Sequence, residues 1–133
     1  MEKCKQLAIF LANKPGTLAN VCTSLAENGI NIQGIMVSDA VDHAVVRLVV
    51  SNPQKAIHML GDAGLLVVDS DIISIHLNNK PGELANLGFK LSEAGVNIEY
   101  LYGGLNSKSV EGVLYIKVND INKAAQALGE IHY

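Results

Sequence analysis

Apolar and other residues alternate through "QLAIFLA" (6–12) and again through "IISIHLN" (72–78). A two-residue period of this kind predicts half-buried strands. Leu7, Ile9 and Leu11 match Ile73, Ile75 and Leu77, and this set is expected to face the core. The intervening set, Ala8, Phe10 and Ala12 against Ser74, His76 and Asn78, is looser and suits a face that is exposed or used for association. Each strand is broken by Pro-Gly. The period then changes: Leu18, Val21, Cys22 and Leu25 recur at helical spacing, as do Leu84, Leu87 and Leu91. Cys22 reads here as a small buried apolar group. Gly29 and Gly95 follow where a helix C-terminus favours positive φ. A second strand is predicted from Asn31-Ile32 or Asn97-Ile98, and a third over 43–50 or 110–118. Asn52 with Pro53, and Asp120 in the other copy, read as the cap and first turn of a second helix. "LLVVD" (65–69) supplies a fourth strand and "DSD" (69–71) reads as a link. The second copy stops at "GEIHY" (129–133), so its fourth strand is expected to be short or missing, an open edge that invites association.

The chain therefore states one pattern twice. Pro15 and Pro81 stand 66 positions apart, and eleven of the twenty-one positions 14–34 are identical to 80–100. An internal repeat of this strength decides the architecture before any single motif does. The element order βαββαβ, folded with right-handed crossovers, gives a four-stranded antiparallel sheet with both helices on one face. The predicted fold class is α+β: two ferredoxin-like domains, 1–69 and 70–133, pairing side by side into one antiparallel sheet. Some sixty residues make a thin core, so two packed copies are favoured over one.

Composition narrows the function. Of 133 residues 49% are hydrophobic and 17% charged, which suits a packed globular chain, and the net charge is −3. Scattered lysines on an acidic chain argue against nucleic acid, which demands clustered basic residues. Phe10 and Tyr115 are too few aromatics for an RNA-binding sheet. No apolar run has the length of a membrane span and the N-terminus carries no signal pattern, so the expected location is cytoplasmic. Cys4 and Cys22 form no CxxC pair. His43, His58, His76 and His132 fit neither metal-ligand spacing nor a nucleophile's partner, the carboxylates are dispersed, and "GGLNSKS" (103–109) lacks the context of a phosphate loop. No catalytic activity, metal or cofactor is expected.

The phrases "NKPGTLA…ENGINI" and "NKPGELA…EAGVNI" resemble the ACT domain, a small ferredoxin-like module that senses amino acids, over essentially the whole chain as two tandem copies. The resemblance implies regulatory binding of a free amino acid, held between the strand-to-helix loop of one domain and the start of the second strand of its neighbour. It also implies that the two domains pair through their second strands into an eight-stranded sheet. Carried over position by position, Asn13 and Asn79 match the loop asparagine, and Asn31 and Asn97 match the one opening the second strand. Two positions before the loop asparagine, where some amino-acid-sensing members carry a polar residue, stand Leu11 and Leu77, which point to an apolar or aromatic ligand side chain.

The chemistry agrees with that implication. A free amino acid presents a carboxylate and an ammonium, and one asparagine amide offers a donor and an acceptor. Gly16 and Gly82 permit close backbone approach, and the helices starting at Thr17-Leu18 and Glu83-Leu84 aim unpaired N–H groups at the loops. Ile32 and Ile98 adjoin the second-strand asparagines. Side-by-side pairing would set the first loop against Asn97 and the second against Asn31. Lys14 and Lys80 read as solvated loop lysines, with carboxylate attraction the alternative. Glu83, in place of Thr17, steadies a helix start but repels a carboxylate, so the two sites are expected to be unequal, or only the one built from Thr17 and Asn97 filled. The residues alone leave ordinary turn chemistry open for all four asparagines. The expected partners are a free amino acid, a second copy of the chain with a dimer favoured, and a regulated enzyme on another chain. The alternative is a ligand-free assembly module that docks on an enzyme or transporter.

Overall fold

A computed structural model of the chain describes residues 1–39, 43–104, 108 and 110–129. Ten elements follow in order: β1 (Glu2–Ala12), α1 (Thr17–Glu27), β2 (Ile32–Asp39), β3 (His43–Val50), α2 (Pro53–Asp62), β4 (Val67–Asn78), α3 (Glu83–Glu93), β5 (Ile98–Gly104), β6 (Glu111–Val118) and α4 (Ile121–Leu128). The expected final strand over 130–133 lies outside the described residues, as do His132 and most of "GGLNSKS". No described helix is long and apolar enough to cross a membrane.

The strands form a six-stranded sheet in the order β2-β3-β1-β4-β6-β5. The chain divides into two compact units, Lys5–Ser70 and Met1–Cys4 with Asp71–Tyr133. In the first unit the order is β2-β3-β1-β4, the ferredoxin-like arrangement of a βαββαβ repeat. In the second it is β5-β6-β4 followed by the opening residues of β1. The edge position that a fourth strand would take in the second unit is thus held by the chain's first residues, which fall with the second repeat rather than the first.

The stretch 69–71, expected as the link between the copies, lies inside the twelve-residue strand β4, and the division between the two units falls within it, after Ser70. Lys5 Nζ lies 3.5 Å from Asp69 and Lys3 Nζ 3.3 Å from Asp71, and both carboxylates keep access to water. The two pairs step along β1 and β4 in opposite directions, as cross-strand partners of antiparallel strands do.

Each unit buries one sheet face under its helices. In the first, Leu7, Ile9 and Leu11 of β1 and Val46, Leu48 and Val50 of β3 pack with Val21 and Leu25 of α1 and Ala56 and Leu60 of α2. In the second, Ile73 of β4 and Leu114, Ile116 and Val118 of β6 pack with Leu87, Leu91 and Ala124. The second helices are capped as their sequences predict: Asn52 accepts a hydrogen bond from Lys55 N, and Asp120 accepts from Asn122 N and Lys123 N. Cys22, expected to be buried, is half-buried, while Val21 and Leu25 carry the buried stripe of α1.

Candidate functional site

Both strand-to-helix loops are built by the same main-chain contacts. In the first, Lys14 N donates to Ala12 O (3.0 Å), Thr17 N to Lys14 O (3.4 Å) and Asn20 N to Gly16 O (2.9 Å). In the second, Lys80 N donates to Asn78 O (2.9 Å), Glu83 N to Lys80 O (3.4 Å) and Asn86 N to Gly82 O (2.9 Å). Gly16 and Gly82 are the N-cap residues, at φ 88° and 91°, a left-handed conformation that glycine adopts at little cost. Neither helix has a side-chain cap. First-turn N–H groups with no partner in the helix, together with its positive dipole end, suit a carboxylate.

The rims of the two loops differ. Thr17 Oγ1 lies 2.9 Å from Ala12 O and 3.0 Å from Lys14 O, so its proton is spent on closing its own loop. At the matching position the second loop carries the carboxylate of Glu83.

In the second unit the loop opens onto a cavity of about 350 Å³. Leu77 and Asn78 at the end of β4, Lys80 and Gly82 in the loop, and Glu83, Leu84 and Ala85 in the first turn of α3 form one side. Leu101, Gly103 and Gly104 of β5 and Leu114 of β6 form the other. Of the residues proposed from sequence, the structure brings Leu77, Gly82, Glu83 and Leu84 together here. Asn97 and Ile98 line a separate groove of about 370 Å³ with Gly88, Ser92, Gly95 and Val96. Leu11 and Thr17 line a groove of about 500 Å³ in the first unit, between α1 and the end of α2, with Val21, Ser24, Glu27 and Leu60 among its walls. Asn13, Gly16, Leu18, Asn31, Ile32 and Asn79 line none of these three.

The asparagines that open the second strands are held by their main chains. Asn31 N donates to Ser51 Oγ (2.9 Å) and Asn31 O accepts from Ser51 N (3.0 Å). Asn97 N donates to Asn119 Oδ1 (2.9 Å) and Asn97 O accepts from Asn119 N (3.2 Å). Both residues are exposed, and each precedes a register shift, between Ile32 and Gly34 or between Ile98 and Tyr100. Strands β2 and β5 stand at opposite ends of the strand order. Pairing through the second strands, which the resemblance implies, is not part of this strand order, in which β2 has β3 for its neighbour and β5 has β6.

Sequence reasoning missed Leu101, Gly103, Gly104 and Leu114. A signal was present: two adjacent glycines ending a strand mark a bulge or a close backbone approach. Gly103 has φ 138°, and a Cβ built on it would collide with the carbonyl oxygen of Val113 and stand 3.1 Å from Leu114 Cα.

A family model described as an ACT domain pair matches residues 2–130. Among solved structures, a protein from Bacteroides thetaiotaomicron is 35% identical with a TM-score of 0.89, over 95% of this chain and 86% of that one. The ligand-free regulatory subunit of aspartate kinase from Thermus thermophilus is 20% identical with a TM-score of 0.70, over 96% and 91% of the two chains. The corresponding subunit from Thermus flavus is 19% identical with a TM-score of 0.62, over 97% and 94%. No curated protein matches by sequence.

Proposed function

The chain belongs to the ACT domain family, as an ACT domain pair, and from that premise we propose that it is a non-catalytic regulatory protein that binds a free amino acid at its strand-to-helix loops. The observation that carries this reading is the cavity of about 350 Å³ at the second loop, where an uncapped helix start meets an apolar wall. The ligand carboxylate sits against the unpaired N–H groups of the first turn of α3, with Lys80 adding positive charge. The ammonium takes the Glu83 carboxylate. Glu83 then serves the other end of the zwitterion instead of opposing the carboxylate.

Regulation follows if the ligand bridges parts that can move or assemble. Strands β2 and β5 end the strand order, and edge strands are open to pairing with another chain. A second copy seated on such an edge would bring its exposed Asn31 or Asn97 toward a loop of the first. A ligand held between them then shifts the assembly by its differential affinity for the paired state. The regulatory subunits of aspartate kinase share this fold, which suits action on an enzyme carried by another chain.

Thermal melts with each of the twenty amino acids at millimolar concentration test the proposal. A ligand at 100 times its Kd adds about 2.7 kcal/mol to stability. One or a few amino acids are expected to raise the Tm while the rest leave it unchanged. Flat melts across all twenty, beside a mass that rises with concentration, would leave the assembly module that binds nothing small, a reading the open edges also favour.

A further inference from the structure

We infer that the second unit is the loaded one and that it takes a neutral amino acid with an aliphatic side chain, with Gly103 as the residue that shapes the site. This rests on the amino-acid reading above and adds to it the class of ligand and the number of sites.

The class follows from the walls. Four leucines from four elements or their ends, Leu77, Leu84, Leu101 and Leu114, surround the cavity, and among the described residues no aromatic side chain does. Its volume of about 350 Å³ lies near the small end of the roughly 300–1,000 Å³ usual for ligand sites, which suits one amino acid rather than a peptide. Among the described residues the charged ones in the lining are Lys80 and Glu83, one of each sign. They match the two charges every free amino acid carries on its Cα and leave none for a third. A charged ligand side chain would be buried against leucines without a partner, at high cost.

The asymmetry follows from the ladders. Gly103 pairs with Leu114 in the second unit, and Val37 pairs with Val46 at the matching position of the first. No described non-glycine residue has positive φ, so the strand path through Val37 is an ordinary one. At Gly103 the chain turns to φ 138°, where any Cβ meets the main chain of β6. The end of β5 thus departs from the path of β2 at the point where it forms the cavity wall, and that wall is backbone. A valine there, as in the first unit, must drive the strand back.

Titration calorimetry on the intact chain with alanine, valine, leucine, methionine, phenylalanine, lysine and aspartate decides the matter. An aliphatic ligand is expected to bind at least about tenfold more tightly than alanine, since each methylene in an apolar pocket is worth about tenfold or more. Lysine and aspartate are expected to show no binding in the same range, with one site per chain. Leu101→Phe should move the preference toward a smaller side chain, and Gly103→Val should remove binding. If Gly103→Val fails to fold by circular dichroism, Leu101→Phe still decides. Binding led by lysine, aspartate or phenylalanine, an unchanged ranking in Leu101→Phe, or two sites per chain overturns the inference while leaving an amino-acid sensor in place. No heat with any of these seven, together with flat melts across all twenty amino acids, removes both.

Discussion

The two units are a controlled comparison, one repeat folded twice in one molecule. Beneath the helices they agree position for position in apolar character. Leu7 pairs with Leu48 and Ile73 with Ile116 at matching ladder positions, and all four are fully buried. The turn glycines agree within a few degrees, Gly16 and Gly82 at 88° and 91°, Gly29 and Gly95 at 70° and 72°. At the rim they part: Thr17 becomes Glu83, Val37 becomes Gly103, and Ser51 becomes Asn119. Packing tolerates few substitutions, since a lost methylene leaves a cavity or a strained rotamer, whereas a loop rim in water tolerates many. The difference shows which positions the fold holds and which are free to serve a ligand.

The sharpest way to break that comparison is to damage both cores equally. Leu48→Ala and Ile116→Ala each remove a fully buried side chain and are expected to cost about 2–5 kcal/mol, measured by denaturant titration. Similar losses would support cores of equal quality. A loss below about 1 kcal/mol for only one of them would show that the units are not equivalent beneath the rim.

A smaller effect separates the second helices. Asn52 accepts one backbone N–H, from Lys55 at 3.2 Å, while Asp120 accepts two, from Asn122 and Lys123, each at 3.1 Å. Asp120 also places a carboxylate at a helix N-terminus, where the dipole favours it. Asn52→Ala is expected to cost about 1 kcal/mol and Asp120→Ala up to about 2 kcal/mol, by the same titration. The reverse order would mean that charge and the second hydrogen bond matter less than the local packing of the cap.

These expectations are firm where the sequence was legible, and it was legible wherever local periodicity and turn chemistry decide. Strand alternation, helical stripes, glycine turns and both caps can be read from a few neighbouring residues. What it did not reveal depends on distant partners. Asp69 and Asp71 read as a link between the copies, and the strand that carries them shows only once Lys5 and Lys3 lie beside them. The first four residues continue a strand pattern and carry no mark of the repeat they will join. At the site, the asparagines stand out in the sequence because amides match the chemistry of an amino acid. The lining residues Leu101, Leu114 and Gly103 come from β5 and β6, brought to the loop by strand order alone.

The least perturbing probe concerns the borrowed strand at the N-terminus. Burial pushes the Cys4 thiol from its ordinary 9.0 up to about 11, with the Glu2 and Asp71 carboxylates adding to the effect. Tyr115 of β6 is likewise pushed upward, by burial and then by Cys4, and Met1–Cys4 group with the second unit. Between pH 9 and 11 the unfolded chain loses this proton first and the folded chain keeps it. The contribution to stability is therefore complete below pH 9 and lost as pH rises through 11. In a Cys22→Ala background, alkylation of Cys4 is expected to quicken about tenfold per pH unit up to near pH 11, since the thiolate is the reacting species. In denaturant the same profile should level off near pH 9. Levelling near pH 9 in the native protein would mean that Glu2–Cys4 are not seated beside β4, and the second unit would then lack the strand that completes it.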